Sequence, residues 1–278
     1  MKIGIQLFGV LKDRQEKPAE ALEMLRELGY SRIEPCISLQ PIPGLDHVVW
    51  SLDWLDAHGE EIRRTGLEMV SCHLFAENPG AERLQRIAAH GIRQFIVKSP
   101  QTLTEETLQE AAGRYMRLAD LLADMGAELL IHNEAQDITT KFSGKTAYET
   151  LLELCEGKAG AQVDVGWVFA GGDDPETLLR RNAGRVKSLH FKDFLRQDGQ
   201  LVETAVGSGI VDTAACFRFA CEHGCVAVAD VDHYPTGQRE DLRTTCETLA
   251  GLAAAFEKQE EASRHGQTET PYGSGALR

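Results

Sequence analysis

No stretch of this chain is apolar for long enough to cross a membrane, and its charge balance is acidic, with room for no more than a local basic pocket. The 278 residues carry 43 Asp and Glu against 29 Lys and Arg, a formal net charge of −14. A spanning helix needs about 20 predominantly apolar residues. Nucleic acid and anionic lipid both call for a basic face. Neither a membrane nor a nucleic acid is therefore expected as a partner. The opening MKIGIQLFG is too short in its apolar part for a signal peptide and is expected to be a first strand. A Cys-x-x-Cys pair is also missing. Of the 7 cysteines, Cys216, Cys221 and Cys225 cluster without a His or further Cys at zinc-finger spacing. Reduced, buried thiols in a cytoplasmic protein are expected. Missing too is a Gly-x-Gly-x-x-Gly after the first strand, which counts against a dinucleotide fold.

What the chain does contain is a repeated phrase of helix, Gly and short apolar strand. It recurs at Gly29, Gly66, Gly91, Gly126, Gly160, Gly184 and Gly224. Gly just past a helix end supplies the left-handed cap. The spacing centres on roughly thirty residues, one βα unit. With Lys2–Leu7 as an opening strand, about eight strands alternate with helices. A single (β/α)8 TIM barrel over residues 1–258 is expected, with a doubly wound open sheet as the alternative. Ala19, Leu22, Leu25 and Leu28 share one helical face, and Leu108, Ala111, Tyr115, Leu118 and Leu122 another. Thr102 with Glu105 reads as a capping box for the fourth helix. The loop SLQPIPGLDH after the second strand lies where active-site loops collect. Residues 259–278 turn polar without helical period. They are expected to be a mobile tail, or an arm on a partner subunit in a homo-oligomer.

The densest stretch is Asp164–Asp193. An apolar strand from Ala161 to Val165 carries Asp164, and a Gly-rich turn follows. Pro175 opens a helix to Asn182, Gly184 stops it, and Val186–Phe191 forms a second strand carrying His190. Parallel strands need such a crossover, and α/β sheets put their chemistry at the strands' carboxyl ends. The polar residues at those ends are Gln6, Glu34, His73, Lys98, His132 with Glu134, Asp164, His190 with Lys192, and Asp230 with Asp232. Residues two apart in a strand share a face. Buried charges are costly unless paired or bound to metal. Alone, His73 is more often a hydrogen-bonded core histidine, Glu34 a partner for Lys98, and Glu134 a solvated loop residue. Lys192 and Asp193 alone would pair with neighbours. His58, His90, His223 and His265 lie on helices or the tail and are expected to be solvated. A His with two carboxylates suits Mn²⁺ or Mg²⁺, and also accommodates Zn²⁺ or Co²⁺.

DVGW at 164–167, AGGDDP at 170–175 and GRVKSLHFKD at 184–193 together resemble the signature of the xylose isomerase-like TIM barrels. The sugar phosphate isomerase/epimerase group is most similar, with inosose dehydratases and ketose 3-epimerases as relatives. VGSGIVDTAACFRFACEHG at 206–224 and KIGIQLFGV at the start resemble the same group. The likeness runs to about Phe256. It implies a divalent metal at the barrel's C-terminal mouth, held by Asp164 and His190, with Lys192 facing a small sugar or polyol. The finer assignments rest on position at the strand ends, with His132 or Glu134 as the strand-five group. His132 and Asp230 would complete the metal site, and His132, Glu134, Asp230 and Lys192 would be catalytic. Gln6, Glu34, His73, Lys98, Trp167 and Asp232 would contact substrate. Two positions depart from the ketose 3-epimerases, which carry Glu on strands five and eight where this chain has His132 and Asp230. An isomerase or epimerase acting through an enediolate is expected. A dehydratase of the inosose type and a non-catalytic sugar-binding barrel are the alternatives.

Overall fold

The computed structural model describes residues 1–12, 18–45 and 48–267. Residues 46–47 of the loop after the second strand and 268–278 of the polar tail lie outside the described residues, as does the His265 side chain. Eight parallel strand positions close on themselves. They are β1 (Ile3–Gln6), β2 (Arg32–Glu34, continued by Cys36–Ser38), β3 (Glu68–Met69, continued by Ser71–Phe75), β4 (Gln94–Lys98), β5 (Glu128–His132), β6 (Ala159–Asp164), β7 (Val186–Phe191) and β8 (Val226–Ala229). Closure is direct. β1 pairs with β8 through Ile5↔Ala229 and with β2 through Gln6↔Glu34. Pro35, which has no N–H, breaks β2. Its carbonyl still accepts from the His73 N–H at 3.0 Å, so the ladder to β3 continues. The strands are short aliphatic runs, buried by the barrel on one face and by helices on the other. The chain is an α/β TIM barrel.

Several local expectations are corrected. Of the seven repeat glycines, Gly29, Gly66, Gly91, Gly126 and Gly224 have positive φ, whereas Gly160 and Gly184 do not. Gly160 lies inside β6, where an added Cβ would meet Leu130 Cδ2 at 2.8 Å. Its glycine serves close strand contact, and Gly157 (φ 79) takes the turn. The capping box belongs to Thr104, whose Oγ1 accepts from the Thr107 N–H at 3.1 Å while the Thr107 hydroxyl accepts from the Thr104 N–H at 3.0 Å. Glu105 then begins the helix Glu105–Ala123, so Thr102 stands outside it. β6 stops at Asp164 because that side chain accepts the Trp167 N–H at 2.8 Å and starts a short helix, Val165–Ala170. Ala19 is exposed, and Ala21, Leu22, Met24 and Leu25 carry the buried face of their helix. The closing helix Gln238–Gln267 continues past 258, so the start of the tail is helical.

Two further elements shape the mouth. A hairpin, Asp193–Gln197 with Gln200–Thr204, rises directly after β7. The loop 207–211 is tied to it by Asp193, whose oxygens accept the N–H groups of Gly207, Gly209 and Val211 at 3.0 Å each. A Cβ at Gly209 would stand 2.2 Å from the Asp193 carboxylate, so only glycine fits there. No helix among the described residues is long and apolar enough to cross a membrane. All seven cysteines are free thiols, six buried and Cys221 half-buried.

Candidate metal and substrate site

β6 and β7 are in register at Asp164↔His190, so the two side chains stand next to each other where the strands end. His190 is enclosed by carboxylates. Its Nε2 is 2.6 Å from Glu34 Oε1 and its Nδ1 is 3.2 Å from Asp230 Oδ2. Burial alone would lower its pKa, but the charges and hydrogen bonds of Glu34 and Asp230 push it up to about 10. Burial likewise works to raise Glu34, yet His190 and then His73 hold it well below the usual carboxylate range.

Glu34 and Gln162 organise one half of the mouth. Glu34 Oε2 accepts the Ser71 hydroxyl at 2.5 Å and the Gln162 Nε2–H at 3.0 Å. Gln162 Oε1 stands 3.1 Å from both His73 Nε2 and His132 Nδ1. His73 Nε2 is also 3.2 Å from Glu34 Oε1. The rings of His73, His132 and His190 lie 4.9 to 5.4 Å apart, centre to centre. Burial, reinforced by the neighbouring His190 and His73, pushes His132 well below the usual imidazole range, so it is neutral.

The other half differs. Asp164 is fully buried. One oxygen caps Trp167, while Oδ2 has no hydrogen-bond partner. Burial pushes its carboxyl well above the usual range, against the pull of Lys192. Asn133 locks the backbone beneath it, accepting the Asp164 N–H at 2.9 Å and donating to its carbonyl at 3.2 Å. Lys192 is fully buried, with Asp232 at 3.0 Å, Glu203 at 3.3 Å and Asp230 at 3.5 Å. Burial opposes its charge, but those carboxylates raise its pKa further. Asp230 is driven up by burial and is nonetheless kept well below the usual range by Lys192 and His190. Lys192 Nζ also stands 5.5 Å from the Trp167 ring, which leans on Phe194 at 5.3 Å. The glycine of DVGW lets these meet, since a Cβ on Gly166 would stand 2.7 Å from Lys192 atoms.

The strand ends thus gather Glu34, His73, His132, Asp164, His190 and Asp230. Three expected members stand apart. Gln6 is buried but turned to the chain, its Oε1 accepting the Phe8 N–H at 2.6 Å and its Nε2 facing Cys36 Sγ at 3.2 Å. Lys98 pairs with Glu134 on the rim, not with Glu34. β5 ends at His132, so the two-residue alternation does not carry Glu134 inward; it precedes the helix Ala135–Thr139 instead. Among the helical histidines, His223 is exposed, whereas His58 and His90 are half-buried and bonded to Trp54 and Asp56. Gln162, Ser71, Asn133 and Glu203 were missed in the sequence. Gln162 had a signal, standing two residues before Asp164 in the same strand. Glu203 had an indirect one, the Asp198–Gly199 turn that closes the hairpin delivering it, with both residues at positive φ.

Two groups of donor atoms lie within 4.8 Å of one another: His73, His132 and His190, and Asp164, His190 and Asp230. In the first, the facing nitrogens already meet Gln162 and Glu34. The second contains the orphaned oxygen of Asp164 and two carboxylates around one imidazole, a donor set that fits a divalent cation.

A closed barrel with buried imidazole and carboxylate at its C-terminal mouth belongs to the TIM-barrel class whose chemistry sits at the strand ends. The chain matches the xylose isomerase-like TIM barrel family over residues 22–252 and belongs to that family. Compared with curated proteins by sequence, it has no match. Among solved structures it resembles a sugar phosphate isomerase/epimerase from Parabacteroides distasonis ATCC 8503, at TM-score 0.72 and 19% identity over 92% of this chain and 94% of that one. It also resembles the probable 3-DHS dehydratase AsbF from Bacillus anthracis, at TM-score 0.67 and 13% identity over 90% and 99%. A third is the IOLI protein with a bound zinc atom, at TM-score 0.66 and 16% identity over 92% and 99%. At these identities the likeness is one of fold.

Proposed function

We propose that this barrel is a metal-dependent isomerase or epimerase acting on a small keto-sugar or polyol through an enediolate. The observation that carries the reading is the unpartnered, buried Asp164 oxygen grouped with His190 and Asp230. These three residues would hold the ion, with His132 as the strand-five candidate, because Glu134 pairs with Lys98 on the rim. Their carboxylates suit Mn²⁺ or Mg²⁺, and the imidazoles admit Zn²⁺ or Co²⁺. When bound, such an ion supplies Lewis acidity to the charge left on substrate oxygens after proton loss.

The chain's own residues do the rest. Glu34 accepts the His190 Nε2–H and so turns Nδ1 toward Asp230. Lys192, held cationic by three carboxylates, offers positive charge to substrate oxygens. Trp167 and Phe194 form an aromatic wall that limits water. Burial and the neighbouring imidazoles of His190 and His73 keep His132 neutral and make it a weak proton acceptor. Asp230, ion-paired to Lys192, is a weak base. The free thiols accord with a cytoplasmic setting.

A second reading, a dehydratase, is favoured by the lack of two matched strong bases among these groups, since Asp230 is ion-paired to Lys192 and His132 is held neutral by burial. Epimerisation removes a proton on one face and returns it on the other, so it profits from two matched bases. Elimination of a β-hydroxyl needs one base and one acid. Deuterium exchange from solvent into candidate ketoses and inososes, with and without Mn²⁺, tests both. Metal-dependent exchange at one carbon supports the isomerase or epimerase, and loss of water supports the lyase. Tight binding with neither outcome would refute catalysis and leave a sugar-binding barrel.

A further inference from the structure

A cavity of about 780 Å³ opens beside the site, between the ends of β3 and β4 and the helix Glu105–Ala123. Its volume lies in the range of small-molecule sites. Its lining includes His73 and Lys98 from the strand ends and Arg114 and Arg117 from the helix. The helix is held level with the mouth, because the Tyr115 hydroxyl donates to the Lys98 carbonyl at the end of β4 at 2.5 Å. Arg114 and Arg117 are three residues apart and so project from one helical face. Among the described residues neither guanidinium forms an ion pair or a hydrogen bond. Lys98, by contrast, is neutralised by Glu134. Glu77 is the one carboxylate in the lining, so the cavity is cationic in a chain of net charge −14. Two like charges at this spacing repel each other, and a bound anion relieves that repulsion. Guanidinium also meets phosphate and carboxylate with paired N–H donors.

We infer that Arg114 and Arg117 bind an anionic group, phosphate or carboxylate, on a substrate whose polyol end reaches His73. The inference rests on the sugar-enolising reading above for the polyol end alone. The test is calorimetric titration of the full chain, at fixed ionic strength, with inorganic phosphate, fructose 6-phosphate, fructuronate and fructose. The wild type is expected to bind one of the two anionic sugars about tenfold or more tightly than fructose. Preference for fructose 6-phosphate, with binding of inorganic phosphate, assigns a phosphate group; preference for fructuronate assigns a carboxylate. The double variant R114Q/R117Q is expected to lose the preference while its bound metal and melting temperature stay unchanged. R114K/R117K, which keeps charge but not paired donors, is expected to restore part of it. Equal binding of all three sugars, no binding of any probe, or a preference surviving in R114Q/R117Q overturns the proposal. Deuterium exchange in the same samples keeps the two readings separate: failure of exchange would sink the enolisation and leave a measured anion preference standing.

Discussion

The two halves of the barrel mouth solve the same electrostatic problem in opposite ways. In the network centred on Glu34 of β2 and Gln162 of β6, those two side chains meet the ring nitrogens of His73 and His132, together with Ser71 and His190, with oxygens on hand for each donor. On the β6–β8 side, Asp164 keeps a buried oxygen with no partner, beside a histidine and a second carboxylate. A satisfied network resists rearrangement and rigidifies its surroundings. An unsatisfied buried carboxylate carries a desolvation cost that a proton or a cation removes. The comparison therefore teaches where an ion would act: on the Asp164 side, with the histidine cage as its support.

The largest effect should come from removing the orphan. Asp164→Asn can still cap the helix through its amide oxygen, so the fold should persist. Bound divalent metal should fall by more than the 10–100-fold typical of outer partners, measured by metal analysis after loading. Unchanged metal content would place the ion elsewhere. Glu34→Gln should do the reverse. It leaves the His190 imidazolium facing a neutral amide in the buried cage, with an expected stability loss of about 3–5 kcal/mol by denaturant titration. A loss under about 1 kcal/mol would mean that the cage is not the support described here.

His132→Ala asks which half owns the strand-five imidazole. If it belongs to the cage, stability should fall by about 2–3 kcal/mol, from a lost hydrogen bond and a cavity, while metal content holds. Loss of metal in a stable protein would move His132 to the ion. The smallest effect is a control. Asp137 also carries an unpartnered buried oxygen, but far less of the cation-binding company, and burial pushes its carboxyl up from 3.8 to about 6. A raised carboxylate favours the protonated fold, so its contribution is fully present below about pH 4 and is lost as pH rises through about 6. Asp137→Asn should flatten that window and stabilise the protein at pH 7 by roughly 1–3 kcal/mol, without changing bound metal. A pH profile identical to wild type would show that Asp137 is already paired in solution.

The barrel was legible because its signals are local and repeated. A helix stop, a short apolar strand and a polar residue at the strand end recur along the chain. The DVGW and HFKD stretches, through β6 and β7, also told that Asp164 and His190 are neighbours. Alternation failed where strands ended: β5 stops at His132, so Glu134 joins Lys98 on the rim. It failed too at Gln6, whose amide closes a helix start instead of facing the histidines. Gln162 was overlooked because an amide carries no charge to draw attention, although its position relative to Asp164 was visible.

By itself the sequence determined the strand and helix alternation, the closed α/β class and the set of acids and histidines presented at one end. These follow from periodicity and from the cost of burying charge, both written along the chain. Only the tertiary structure decided the pairing. It turned Glu34 to His190 across 156 positions of sequence, set Lys192 among Asp230, Asp232 and Glu203, and left Asp164 Oδ2 alone. Barrel closure brings side chains from distant strands to a few ångströms of each other. Which oxygen meets which nitrogen there depends on register and on where the hairpin after β7 sits over the mouth, and neither is written at any single residue.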